Sequence, residues 1–231
     1  MQFVVLSSSR GTTFQAVLDR IKDGSLTAQC MGLITDRGDR GCIAKAEAAG
    51  LPVIILPRME GESREEYDRR LDEEIRKLMT GNTPRDAANP HPARDAPPSP
   101  TPRSMLLGEG EGGTFIAALG WMFILTPWFI QRWKDRIINV HPALLPKFGG
   151  AKMYGDRVHQ AVLDSGDTES GITIHLMDEG VDTGKILLQK MCPVMAGDTV
   201  ETLKERVQRL EREWYPRVLA MMDQTTPRNK S

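Results

Sequence analysis

Residues 3–21 read FVVLSSSRGTTFQAVLDRI, and this stretch sets the fold class. Phe3 to Ser8 form a short, apolar, β-branched run with the character of a strand. Residues 7–13, SSSRGTT, make a tight polar turn. Phe14, Val17, Leu18 and Ile21 then recur at helical spacing. The unit is strand, turn, helix, and it is met again downstream. Met31 to Thr35 is a second apolar run, followed by Ala-rich helical sequence from Cys42 to Ala49 and a third run from Val53 to Leu56. Short apolar strands separated by helices predict a parallel sheet covered on both faces.

The next helix carries its own start signal. Ser63 followed by Glu66 forms a capping box, and Tyr67, Leu71, Ile75 and Leu78 make one apolar stripe. Character changes after Met79. Residues 80–113 hold about half of the chain's 15 prolines, with Gly and Arg and few large apolar side chains, and read as a Pro/Gly-rich insertion. Order is expected to resume with strands at Phe115–Leu119 and Ile137–Val140, separated by a helix opened by Thr126 and Pro127. A helix over Val158–Leu163, strands at Ile172–Met177 and Ile186–Val194, and a last helix from about Thr199 to Met222 complete the chain. The expected organisation is one α/β domain over 1–222, interrupted at 80–113, with a polar tail at 223–231. Its sheet is Rossmann-like: open, mostly parallel and twisted, with helices on both faces.

Bulk properties narrow the partners. The chain has 231 residues, of which 40% are hydrophobic and 26% charged, and a net charge of -1. That gives no overall pull toward nucleic acid or an anionic membrane. No apolar run reaches the roughly 20 residues that span a bilayer. The N-terminal residues lack the basic start of a signal peptide. Cys30, Cys42 and Cys192 are odd in number and widely spaced, which argues against disulfides and a zinc site and suits the cytoplasm.

In such sheets ligands bind beyond the carboxyl ends of the strands. Three loops place unusual polar residues there. Ser7–Thr13 is either a phosphate-binding turn at a helix N-terminus or a Ser/Thr-capped helix start. Asp36, at the end of the second strand, has the position of a ribose-binding acid, but the turn retains only Gly11 of a dinucleotide fingerprint. Asn139 and His141 lie two apart at a strand end and so share a face. An amide suits a developing oxyanion, and an imidazole exchanges protons near neutral pH. Residues 178–184, DEGVDTG, are either an acidic hairpin turn or a loop whose Asp182 orients an imidazole. His175 reads as a supporting or core histidine and His159 as a surface residue; His91, in the insertion, has no assigned role.

The runs INVHPALLPKFGG (138–150) and SGITIHLMDEGVDTGKILLQ (170–189) resemble the folate-dependent formyltransferases. SREEYDRRL (63–71), GWMFILTP (120–127) and AGDTVETLKERVQRLEREWYP (196–216) extend the likeness over nearly everything outside 80–113. The resemblance implies that family's fold and transfer of a formyl group from 10-formyltetrahydrofolate to the amine of glycinamide ribonucleotide. It implies small-molecule partners only, no metal, and a monomer or homodimer. Asn139, His141 and Asp182 match the family's catalytic trio. Gly11, Thr12, Thr13 and Glu211 match the acceptor site. Arg64, Met122, Phe123, Ile124, Leu125, Asn139, Asp178, Glu179, Gly180, Val181 and Asp182 match the formylfolate site.

Two departures bear on the acceptor and the folate. The family's phosphate loop has a further glycine and an Asn where this chain has Ser9 and Thr13, with Arg10 adding a charge beside the turn. Phe123 stands where the family often has Arg. The alternatives are a formyltransferase for another amine, such as that of a sugar nucleotide, and a folate-binding homologue without catalysis. A hydrolase of the same core carries an added N-terminal domain, and a tRNA formyltransferase carries a basic face and a C-terminal domain; neither pattern is expected here.

Overall fold

A computed structural model describes residues 1–81 and 114–225. Seven strands form one sheet in the order β3-β2-β1-β4-β5-β6-β7. They are β1 (Gln2–Leu6), β2 (Gln29–Thr35), β3 (Val53–Ile55), β4 (Thr114–Ala118), β5 (Ile137–His141), β6 (Glu169–Leu176) and β7 (Ile186–Pro193). The helices are α1 (Thr12–Lys22), α2 (Cys42–Ala48), α3 (Arg64–Thr80), α4 (Pro127–Arg132), α5 (Asp156–Ser165) and α6 (Val200–Thr225). β1 to β5 pair in parallel, whereas β5–β6 and β6–β7 are antiparallel. The sheet is thus open and mostly parallel, as the sequence predicts.

Alternation along the strands divides the core in two. Phe3 and Val5 of β1 point to the face covered by α1, α2, α5 and α6. Val4 and Leu6 point to the other, covered by α3 and α4. Both sets are fully buried, the expected cost-free solution for a strand with helices on each side. The α3 capping box forms as read: Ser63 accepts from the Glu66 N–H and Glu66 accepts from the Ser63 N–H. Its stripe of Tyr67, Leu71, Ile75 and Leu78 is buried. Asp68 then accepts from the Thr126 N–H and hydroxyl, both at 2.6 Å, fixing the start of α4 against α3.

Two boundaries differ from expectation. α3 includes Thr80 and closes on Gly81, so the interruption begins later; residues 82–113, His91 among them, lie outside the described residues. α6 continues to Thr225 through Pro216, past the expected start of a polar tail. The tail's first residue, Asp223, is buried and pairs with the Met1 ammonium and the Thr27 hydroxyl, which is why the helix does not stop at Met222. Cys30, Cys42 and Cys192 are free and buried. Among the described residues no helix is long and apolar enough to cross a membrane.

Candidate active site

Strand order reverses between β1 and β4, and a cleft of about 410 Å³ opens at the carboxyl ends of these strands. Its walls come from four places: the turn into α1, the residues after β4, the end of β5 with its following loop, and the loop between β6 and β7. α6 closes one side with Lys204, Gln208 and Glu211.

Asn139, His141 and Asp182 all line this cleft. β5 presents Asn139 and His141 on one face. Antiparallel register sets Asn139 opposite His175 and His141 opposite Thr173. His141 Nε2 donates to the Phe148 carbonyl at 2.7 Å, which fixes the ring. Its Nδ1 faces Asp182 Oδ2 at 3.4 Å. Both ring nitrogens therefore face acceptors, and only a doubly protonated ring can donate to both.

Asp182 reaches this position at φ 60°, a left-handed conformation that Asp tolerates better than most residues. The Gly150 N–H donates to its Oδ2 at 3.1 Å, and Asp182 is only 11% exposed. Gly184, two residues on, has no room for a side chain: a Cβ there would lie 1.8 Å from the Leu176 carbonyl oxygen. The rest of the loop serves the turn. Asp178 accepts from the Gly180 N–H and the Thr183 hydroxyl, and Glu179 accepts from Gln131. The turn reading thus holds for Asp178, while Asp182 faces the His141 ring.

His175 supports the trio more directly than its sequence context indicates. Its Nδ1 donates to the Leu176 carbonyl, leaving Nε2 to accept from Asn139 Nδ2 at 3.1 Å. Burial pushes the His175 pKa down, so the ring stays neutral and holds this tautomer. Asn139 is thereby oriented with one N–H spare. Thr173 fixes the loop below: its hydroxyl donates to the Ala143 carbonyl and accepts from the Leu145 N–H.

The turn after β1 does not hold a Ser/Thr cap. Gly11 is the N-cap at φ 74°, with no side-chain cap bond. A Cβ on Gly11 would meet the Cys42 Cα at 2.9 Å, so glycine is required by both conformation and space. The first-turn N–H groups of Thr12, Thr13 and Phe14 are left toward the cleft that these residues line. The Thr13 hydroxyl donates to Glu211 Oε2 at 2.9 Å. Burial pushes the Glu211 carboxyl up to about 7, against the opposing pull of Thr13. Gly11 itself sits behind the lining. Arg10 is exposed and lies outside the cleft lining. Asp36 is not free for a ribose; Arg40 grips it with bonds of 2.9 and 2.7 Å.

Trp121 to Leu125 form an apolar wall. Phe123 packs on Tyr67 and Trp121 with ring centroids 5.2 and 5.3 Å away. Leu125 is buried, while Met122 and Ile124 are 49% and 51% exposed at the mouth. Arg64 is exposed in the first turn of α3 and does not line the cleft. His159 corrects its surface reading: it is 2% exposed and lies in the cleft floor. Burial pushes its pKa down to about 4. Among the described residues, no group of three or more His, Cys, Asp or Glu side chains is placed to hold a metal.

Residues 109–219 match the formyl transferase family. The chain is 32% identical over 218 residues to a chloroplastic phosphoribosylglycinamide formyltransferase of Arabidopsis thaliana, covering 94% of this chain and 64% of that protein. It is 33% identical to the trifunctional purine biosynthetic protein adenosine-3 of Drosophila pseudoobscura pseudoobscura, covering 94% of this chain and 13% of the relative. It therefore spans about two thirds or much less of these relatives. Among solved structures it resembles phosphoribosylglycinamide formyltransferase from Coxiella burnetii, with TM-score 0.75, 29% identity and coverage of 96% and 86%. It also resembles glycinamide ribonucleotide transformylase 1 from Symbiobacterium toebii, with TM-score 0.77, 26% identity and coverage of 97% and 88%.

Proposed function

We propose, from the match of residues 109–219 to the formyl transferase family, that this chain moves a formyl group from 10-formyltetrahydrofolate to the amine of glycinamide ribonucleotide, a step of purine synthesis. The observation that carries the reading is the meeting of Asn139, His141 and Asp182 in one cleft. That cleft runs from an uncapped helix N-terminus to an exposed apolar lip. The lip fits a flat heteroaromatic co-substrate: Met122 and Ile124 are apolar, exposed and backed by the Trp121–Phe123 wall. The opposite end fits a phosphorylated acceptor.

The reaction joins the acceptor nitrogen to the formyl carbon and breaks the bond from that carbon to the folate nitrogen. Negative charge gathers on the formyl oxygen between these events. Asn139 keeps one N–H on His175 and offers the other to that oxygen. His141, held through Nε2 by the Phe148 carbonyl, contributes the positive charge of its ring, which Asp182 beside Nδ1 supports. Asp182 also takes part in moving the proton from the attacking amine, through water, to the departing folate nitrogen. Much of the acceleration comes from holding two substrates in line in one cleft. The three free buried thiols suit a reducing compartment such as the cytoplasm.

The test is an acceptor screen. The purified chain is given 10-formyltetrahydrofolate with glycinamide ribonucleotide, an amino-sugar nucleotide, or no acceptor, and folate release is followed by absorbance. Transfer to glycinamide ribonucleotide is expected. Transfer only to the sugar nucleotide, or folate binding without transfer to any amine, would overturn the proposal.

A further inference from the structure

The turn into α1 brings no cation to the cleft: Arg10 is exposed and does not line it. A helix N-terminus alone offers partial charge, and the Thr13 hydroxyl is already committed to Glu211. The positive charge at this end comes instead from α6. Lys204, Gln208 and Glu211 are spaced four and three residues apart, so they share one face of the helix, and all three line the same cleft as Thr12 and Thr13. Lys152 lines it too, but on the loop that starts at Gly150, which binds Asp182 at the reacting end.

Lys204 is lightly held. Its Nζ lies 2.5 Å from Asp156 Oδ1, but the two side chains are 38% and 64% exposed. An ion pair this wet contributes little, and a doubly charged group can displace the single carboxylate. In the same cleft, His159 has a buried Nδ1 with no hydrogen-bond partner among the described residues. Buried ring nitrogens are nearly always satisfied, so an unpaired one on a residue that lines the cleft calls for a partner. His159 is neutral at working pH and does not repel Lys204.

We propose that Lys204 is the residue that makes this site select a phosphorylated acceptor: it leaves Asp156 to pair with the acceptor's phosphate, which also meets the uncapped N-terminus of α1. The assignment rests on the formyl-transfer reading for the identity of the acceptor, but not for the anion it binds. It accounts for the altered first turn, where charge is supplied from α6.

The probe is ribose 5-phosphate, titrated calorimetrically into the wild-type chain and into Lys204→Gln and Asp156→Asn, with ribose as the uncharged control. Losing a charge-assisted bond should weaken ribose 5-phosphate binding at least about tenfold in Lys204→Gln. Asp156→Asn, which frees Lys204, should tighten it. Ribose should bind all three chains alike. Absence of ribose 5-phosphate binding to wild type, equal binding by wild type and Lys204→Gln, or equal weakening in both variants would overturn the proposal. The last result would mean that the ion pair is merely structural. Transfer assays with glycinamide ribonucleotide then separate the two ideas. The expected phosphate pattern without transfer to that acceptor keeps Lys204 and removes the acceptor assignment.

Discussion

Replacing Asp182 with Asn isolates the electrostatic part of the site. Asn keeps the size, tolerates the left-handed backbone at φ 60°, and retains an oxygen for the Gly150 N–H. Only the charge is lost. A carboxylate and an imidazolium 3.4 Å apart attract by about 5 kcal/mol at an effective dielectric of about 20. Water reaches the 11% of Asp182 that is exposed and returns part of this. If about 3–4 kcal/mol survives in the transition state, kcat for formyl transfer falls roughly 10²- to 10³-fold. KM for the acceptor should change little, because the charge acts on the reacting atoms rather than on the phosphate end. The assay is steady-state absorbance of folate release, with thermal unfolding run on the same preparation. A folded Asp182→Asn variant with kcat within about threefold of wild type, about 0.7 kcal/mol, would refute the role given to the His141–Asp182 pair.

Three further outcomes follow from groups around the cleft. Glu211 has a folded pKa raised to about 7, so its ionisation costs the folded state nothing below pH 4.5 and increasingly more up to pH 7. Glu211→Gln, which still accepts from Thr13, should therefore stabilise the protein above pH 7 by up to roughly 3 kcal/mol and not at pH 4; denaturant titrations at both pH values check this. His159 has its pKa lowered to about 4, so its neutral form supports the fold fully above pH 6.5 and loses that support as pH falls toward 4. In His159→Gln the decline in stability between pH 6.5 and 4 should be shallower than in wild type, by up to roughly 3 kcal/mol. Gly11→Ala forces a side chain onto Cys42 at φ 74° and should destabilise by about 1–3 kcal/mol, read as a lower Tm.

The fold was legible because its signals are local. The Phe3–Leu6 run, the Ser63–Glu66 box and the Tyr67–Leu78 stripe each state an element and its buried face without reference to distant residues. Asn139 and His141 were legible for the same reason, being two apart on one strand. Asp182 stood open between an acidic turn and a carboxylate that orients an imidazole, because local composition does not say which acid faces β5; Asp178 of the same loop braces the turn. His159 was misread because a helix pattern marked by Val158 and Val162 treats the intervening imidazole as polar surface. Its burial follows from α6 packing over α5, which no local period reveals. Lys204 was silent for a related reason: it sits among the charges of a long amphipathic helix, and only the packing of α6 across from α1 distinguishes it. His175 was visible as a core residue, but its bond to Asn139 depends on antiparallel register with β5.

Cys42 lies directly under Gly11, wholly enclosed, with its Sγ 3.7 Å from the Ser7 carbonyl oxygen. No reagent reaches that sulfur unless the first turn lifts away from α2. The thiol is therefore a natural stopwatch for breathing at one wall of the cleft: its alkylation rate reports how often the turn opens, and a ligand that clamps the turn shut must slow it.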